Sequence, residues 1–391
     1  MPRLSLAVPL VLVALLAPAV PAAAGRPAPD PSDDRVVAAG QKAVPRLKVT
    51  KRVTGLSSPW DVKSIGGGQL LITERDTARL YVVGNGGKRR VGFPSGKVWV
   101  SGETGLMSLE VDPHFRSNRR FYTCSGWKVG TGHDVRVTAW RLSRDSTRAY
   151  RLRTVLGGFP TSSGRHGGCR LLIARDGSMY VGTGDAAIGT NPRDLDSLGG
   201  KTLRLNRLTG APWPTNPFID SDSPTRRYVD TFGHRNIQGL AQRADGTVWS
   251  VEHGSDRDDE VNLLVPGGDY GWHPVPGYNE AVPMTDQSLP GTQNEAKWSS
   301  GTPTLATSGA TFVSGSKWGA LKGTLAVAAL KASRVLFLTF DASGNLTKVR
   351  APAALRRYGR LRSVSQADNG DLLITTDTDS GGGAVLWVSP R

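Results

Sequence analysis

Between Gly233 and Trp272 the chain reads GHRNIQGLAQRADGTVWSVEHGSDRDDEVNLLVPGGDYGW, a stretch dense in groups that do chemistry. Arg235 and Asn236 stand side by side ahead of an apolar turn, a cation and an amide at one point of the chain. Asp256, Asp258, Asp259 and Glu260 follow as an acidic cluster. Two strand-like runs, IQGLAQRA and TVWSVEH, meet at the Asp245-Gly246 turn, so these groups are predicted to flank a β-hairpin. An isolated hairpin with a charged loop would look the same, and the rest of the chain has to decide.

The same unit recurs along the chain: an apolar strand, a Gly-rich or Asp-Gly turn, a second apolar strand, then a less regular return. Copies run over 59–83, 105–145, 168–208, 238–268, 309–344 and 362–389. No such unit can bury both faces alone, and radial stacking leaves few exposed edges. The pattern predicts an all-β fold, a six-bladed β-propeller of four-stranded antiparallel blades spanning 46–391 as a single domain. RLKVTKRVTG, residues 46–55, is a spare strand that could complete the last blade and close the ring. A pair of β-sandwiches would account for the strands but not for the sixfold recurrence. Propeller sites sit on loops at the channel mouth, which directs attention to Glu103, His166, Arg235, Asn236, Arg360 and Arg362 ahead of inner strands, and to Lys331 at the end of a second strand.

Composition sets the outer bounds. At 391 residues, with 48 glycines and few long stretches of helical period, the chain is ample for a large core of short strands. Residues 1–24, with Arg3, an apolar run and Ala22-Ala23-Ala24, read as a secretory signal peptide, with no stable membrane insertion after its removal. Residues 25–45, rich in Pro, Ala and Asp, read as a flexible stalk, and the mature protein is expected to be secreted. The net charge of +16 raises nucleic acid as a partner, but the cations are scattered, with no run longer than Lys88-Arg89-Arg90, so none is expected. Cys124 and Cys169 are the only cysteines, too few for a zinc site. In an exported chain they permit one disulfide, with two buried thiols as the alternative.

Seven segments together carry a resemblance: PWDVKSIGGGQLLITER, GETGLMSLEVDPHF, HGGCRLLIARDGSMYVGTGD, LGGKTLRLNRLTG, GHRNIQGLAQRADGTVWSVEHG, DDEVNLLVPGGDYGW and RLRSV. In this order and spacing the chain after the stalk resembles the soluble, secreted aldose sugar dehydrogenases that depend on pyrroloquinoline quinone (PQQ), relatives of soluble quinoprotein glucose dehydrogenase. The resemblance implies PQQ and Ca2+ as cofactors, an aldose sugar as substrate, and a soluble or respiratory electron acceptor. The expected reaction is oxidation of the sugar's C1 hydroxyl to a lactone, with hydride passing to the quinone.

The resemblance also implies roles. His166 matches the catalytic base and Asp185 the carboxylate that orients it. Arg235 and Asn236 match the pair contacting the quinone, where a guanidinium stabilises developing negative charge. Lys331, Arg360 and Arg362 match the cations that hold a cofactor bearing three carboxylates. Gly254 and Ser255 match the carbonyls of the calcium that polarises the quinone. Glu260, by its carboxylate, and Tyr270, by its backbone oxygen, match a second, structural calcium site. Glu103 stands where the glucose enzyme has a glutamine touching the sugar, and Arg165 where it has an acid. Ser255 replaces a proline and Ser363 an aspartate, and the glucose enzyme's long substrate and dimer loops are not evident. Alone, each of these cations would read as a surface residue and Asp185 as a hairpin-end cap.

Two other functions fit a propeller of this size: a non-catalytic scaffold binding a glycan or protein partner, and a calcium-dependent lactonase, which would need inward carboxylates around one ion. Finally, Cys124 in FYTCSGW and Cys169 at the start of GCRLLIA are expected to bridge the second and third units close to His166.

Overall fold

The computed structural model describes residues 43–391. The signal peptide and most of the stalk lie outside the described residues. At the near end of that segment the Ala43 carbonyl accepts a hydrogen bond from Ala320 N–H at 3.0 Å, and Val44 packs on the fifth and sixth sheets.

Six four-stranded antiparallel sheets form the blades of a β-propeller, as the recurrence predicts. The inner strands are Pro59–Gly66, Leu106–Val111, Arg170–Ile173, Ile237–Gln242, Thr307–Phe312 and Leu361–Gln366. The strands that follow are largely buried, and Leu325–Ala329 and Leu372–Thr376 are buried along their whole length. That burial on both faces explains why these runs are continuously apolar instead of alternating. At the Asp245-Gly246 turn the glycine takes φ +99°, a value L-residues avoid, and the strands Ile237–Gln242 and Val248–Glu252 pair on either side.

The ring closes with its own N-terminal strand. Leu47–Leu56 pairs antiparallel with Gly383–Pro390 and becomes the outer strand of the sixth blade. The core is divided in the same way: each of six apolar clusters lies between two neighbouring blades, as where Tyr122 and Val137 of the second meet Leu171, Met179 and Val181 of the third. The Cys124–Cys169 disulfide lies at that same boundary, with Cα atoms 6.0 Å apart.

Between the third and fourth strands of the fourth blade, Glu260–Leu263 and Trp298–Ser299, the chain makes a long excursion. Its beginning is tied to the third blade, because Tyr270 N–H and Trp272 N–H donate to the carbonyls of Phe232 and Gly233, each at 2.9 Å. This excursion reaches the channel mouth.

Candidate active site

His166 precedes the third inner strand in a left-handed backbone conformation, φ +50°. Two features make room for it. The chain continues with Gly167 and Gly168, and a Cβ at Gly184 would lie 1.9 Å from the His166 carbonyl oxygen. The HGG and TGD motifs are thus two sides of one backbone contact. The imidazole is buried; its Nδ1 lies 2.8 Å from Asp185 Oδ1 and 2.9 Å from the Tyr278 hydroxyl. Among the described residues Nε2 has no hydrogen-bond partner, so the ring presents that nitrogen to the mouth.

Asp185 is fully buried and satisfied by four donors: the histidine, the Ala187 amide at 2.8 Å, Trp272 Nε1 at 2.8 Å and the Tyr278 hydroxyl at 2.6 Å. Lys201 steadies the loop that follows. Its buried ammonium donates to the carbonyls of Asn191, Pro192 and Gly199 at 2.6–2.9 Å, and burial pushes its pKa down to about 7.

Arg235 and Asn236 enter from the fourth blade. The Arg235 guanidinium donates to Glu280 Oε1 at 2.6 Å and to the His253 carbonyl at 3.2 Å, and lies 5.6 Å over the Trp272 ring. Asn236 donates to Glu103 Oε2 at 3.2 Å and accepts from Gly168 N–H. The same Glu103 oxygen accepts the His166 amide at 3.1 Å. Glu103, His166 and Asn236, from three different blades, are therefore one contact group. Glu280 bridges Arg235 and Arg165, each at 2.6 Å; burial raises its pKa, but the two guanidinium hydrogen bonds outweigh that and hold it below its ordinary value.

Opposite, the sixth blade supplies Arg362, whose side chain is 7% exposed and donates to Asp377 Oδ2 at 2.7 Å and to Gln238 Oε1 at 3.2 Å. Arg360 stands just before the inner strand, as expected, whereas Arg362 lies on it; the Arg360 side chain is 53% exposed and its NH2 is 3.9 Å from the same Asp377 oxygen. Lys331 lies two residues past the strand Leu325–Ala329, exposed in the turn, with Nζ 3.5 Å from Thr304 Oγ1. Thr304 N–H in turn bonds the Asp256 carbonyl, which places Lys331 beside the Gly254–Ser255 loop.

That loop is pinned by Asp259, which accepts from Gly254 N–H at 3.0 Å and Leu305 N–H at 2.7 Å. Among the described residues no hydrogen bond reaches the carbonyls of Gly254 or Ser255. Glu260 pairs across the strands with Glu252. Burial first, and then the Glu252 charge, push the Glu260 pKa well above its ordinary value. The Tyr270 ring stacks 4.5 Å from His234, which bonds Glu252 at 2.8 Å, so Glu260 and Tyr270 share one neighbourhood.

Glu103, His166, Asp185, Arg235 and Asn236 are thus linked by hydrogen bonds, Arg362 reaches Asn236 through Gln238, and Glu260 and Tyr270 meet beside Glu252. Sequence reasoning missed four more. His253 follows the strand Val248–Glu252 in the quoted VEHG segment, and its Nε2 is buried without a partner. Burial, then Arg362, Arg235 and His166, hold its pKa well below the ordinary value, so it is neutral at pH 7. Trp272, Tyr278 and Glu280 come from the long excursion. Only Trp272 had a signal, the DYGW ending of a quoted motif; Tyr278 and Glu280 sit in a Pro- and Gly-bearing segment with no period.

Arg235 Nε and Arg362 Nε, like His253 Nε2, are buried nitrogens lacking any partner. Three orphans at one mouth, beside permanent cations, fit a bound polyanion.

The comparisons with known proteins agree with this geometry. The profile of the Glucose / Sorbosone dehydrogenase family matches residues 56–387. An aldose sugar dehydrogenase of Escherichia coli is 29% identical over 352 residues, covering 86% of this chain and 91% of that protein. The structure of the PQQ-bound form of aldose sugar dehydrogenase from Streptomyces coelicolor superposes with a TM-score of 0.72 at 28% identity, covering 89% of this chain and 100% of that one. A putative oxidoreductase (glucose dehydrogenase) from Thermus thermophilus superposes with a TM-score of 0.75 at 32% identity, covering 88% and 100%. With most of the folded chain matched and the mouth furnished as described, the protein belongs to the glucose/sorbosone dehydrogenase family.

Proposed function

We propose that the protein is an exported quinoprotein that oxidises the C1 hydroxyl of an aldose to a lactone, using PQQ and calcium and passing electrons to a soluble or respiratory acceptor. The observation that carries this reading is the convergence of Arg235, Arg360, Arg362 and Lys331 on one mouth that also holds His166 with a free Nε2. PQQ supplies a two-electron hydride acceptor and calcium the charge that polarises it. Arg235, Asn236, Lys331, Arg360 and Arg362 would hold the cofactor's anionic and carbonyl oxygens, and the carbonyls of Gly254 and Ser255 would offer calcium hard oxygen donors. His166 Nε2 takes the proton of the C1 hydroxyl as the C1–H bond breaks, and Asp185 stabilises the imidazolium so formed. Glu103, joined to both His166 and Asn236, orients the sugar's hydroxyls. A disulfide suits an oxidising compartment, which supports export. Among the described residues no helix is long and apolar enough to cross a membrane. A lactonase built on one carboxylate-bound ion finds less support, since no group of three His, Cys, Asp or Glu suited to a metal occurs among the described residues.

Binding of the quinone tests the convergence. Titrated with PQQ in the presence of calcium, the protein should saturate at one equivalent. Arg360→Ala should weaken binding about tenfold, the worth of one half-exposed charged contact. Arg360 is the residue to change because Arg362 still neutralises the buried Asp377 in its absence. Equal affinity in the two proteins would place the cofactor elsewhere.

Calcium should stabilise the fold through Glu260. In metal-free protein Glu260 keeps its proton to a higher pH than the unfolded chain does. Its contribution is therefore present at low pH and lost as pH rises from the ordinary carboxylate value through the folded one. A cation beside Glu260 and Glu252 reverses that loss. At neutral pH, calcium at a hundredfold excess over its Kd should add about 2.7 kcal/mol, read as a rise in Tm. Glu260→Gln should abolish most of that rise and remove the fall with pH; a full calcium response in the variant would rule Glu260 out as a ligand.

A further inference from the structure

We propose that Tyr278, carried on the fourth blade's excursion, is a positioning residue that locks His166 in the tautomer with Nε2 free. The inference rests on the reading of His166 as the base and adds what holds it ready.

Three polar groups meet at one point. The Tyr278 oxygen is 2.6 Å from Asp185 Oδ2 and 2.9 Å from His166 Nδ1, and Asp185 Oδ1 is 2.8 Å from the same Nδ1. An ionised carboxylate only accepts, so Nδ1, 2.8 Å from Asp185 Oδ1, has to carry its hydrogen, and the phenol proton goes to the nearer of its two neighbours, Asp185 Oδ2. The tyrosine oxygen then turns a lone pair toward Nδ1. The histidine nitrogen thus faces two acceptors and must carry the hydrogen itself, which leaves the lone pair on Nε2. Burial, and then the Asp185 charge, push the Tyr278 pKa further above its ordinary value, so it stays a proton donor across the working range.

Asp185 alone would favour the same tautomer. The tyrosine adds a second fixed acceptor, so rotation of the imidazole breaks two hydrogen bonds instead of one. It also occupies Oδ2 together with Trp272 Nε1, which prevents the carboxylate from swinging away from the ring. The phenol is itself held from outside. Its ring centroid is 5.8 Å from that of His166 and 6.3 Å from that of Trp272, with the Arg165 guanidinium 5.4 Å above it. Backbones meet alongside: a Cβ on Gly189 would fall 2.3 Å from the Gly277 carbonyl oxygen, so the excursion seats directly on the loop that follows Asp185. The base and its carboxylate come from the third blade, and the group that completes their hydrogen bonding comes from the fourth.

The test uses full-length Tyr278→Phe, with Trp272→Phe as a second variant that removes a donor to Asp185 without touching Nδ1. In cofactor-free protein labelled with 15N-histidine, the His166 signals, assigned by their loss in His166→Asn, should show the Nδ1–H tautomer in the wild type and in Trp272→Phe. In Tyr278→Phe they should show exchange between both tautomers. With PQQ and calcium, Tyr278→Phe should lower kcat about tenfold, part of the 10²- to 10⁴-fold that a general base contributes, while KM for the aldose and quinone affinity stay within twofold. An unchanged tautomer in Tyr278→Phe, or an equal loss of it in both variants, overturns the proposal. If the wild type oxidises no aldose, the functional reading fails instead, and the tautomer comparison still decides the role of Tyr278.

Discussion

Replacing His166 by alanine should lower kcat by at least 10²-fold and up to about 10⁴-fold, while the affinity for the quinone stays nearly intact. In the proposed reaction the proton of the C1 hydroxyl leaves as hydride departs from the same carbon, and Nε2 of His166 is the nitrogen free to take it. Asp185, satisfied by four donors, is positioned to stabilise the charge that results. The alanine leaves Arg235, Arg362 and Lys331 in place, so the cofactor's anionic groups keep their partners. Steady-state kinetics beside a binding titration separates the two effects. A variant that loses quinone affinity and keeps its turnover number would exchange the roles assigned to His166 and the cations.

Breaking the disulfide should produce the largest loss of stability. The bridge closes a loop with a sequence separation of 45 residues, for which chain entropy gives about 4 kcal/mol. Both sulfurs lie inside the apolar cluster between the second and third blades, so a Cys124→Ala/Cys169→Ala protein also loses packing there. Cys169 is three residues beyond His166, and the loosened boundary should lower kcat as well as Tm. Denaturant unfolding of the oxidised protein against the double variant measures the loss. Thiol titration of the unfolded, unreduced protein, expected to find no free thiol, establishes that the bond is present in the purified protein. A difference below about 1 kcal/mol would mean that the bridge constrains little.

The fold was legible because its signals are local. Turns such as Asp245-Gly246, flanked by apolar runs, mark hairpins by backbone preference alone, and six recurrences leave little choice of how to stack them. Even ring closure could be anticipated, since residues 46–55 form a strand with no blade of their own, and Leu47–Leu56 does pair with Gly383–Pro390. The outer strands were harder; Trp298–Ser299 is only two residues long and lies beyond an excursion with no period.

The site divided along the same line. His166 and Arg235 sit just ahead of inner strands and Arg362 near the start of one, where the repeat itself predicts the channel mouth. Tyr278 and Glu280 reach His166 and Arg235 across 112 and 45 residues of sequence, by contacts that depend on how the excursion folds back over the blades. Nothing in GWHPVPGYNEA announces that path. His253 was hidden differently: it lies in a quoted motif, but only burial among Arg362, Arg235 and His166 distinguishes it from an ordinary strand-end histidine.

The most direct test of the central claim is turnover itself. Purified protein, loaded with PQQ and calcium, is mixed with an artificial electron-accepting dye and a panel of aldoses, and dye reduction is followed together with the sugar product. The account predicts aldose-dependent reduction that needs both PQQ and calcium, with a lactone formed for each two electrons transferred; saturable binding of PQQ with no dye reduction on any aldose would contradict it.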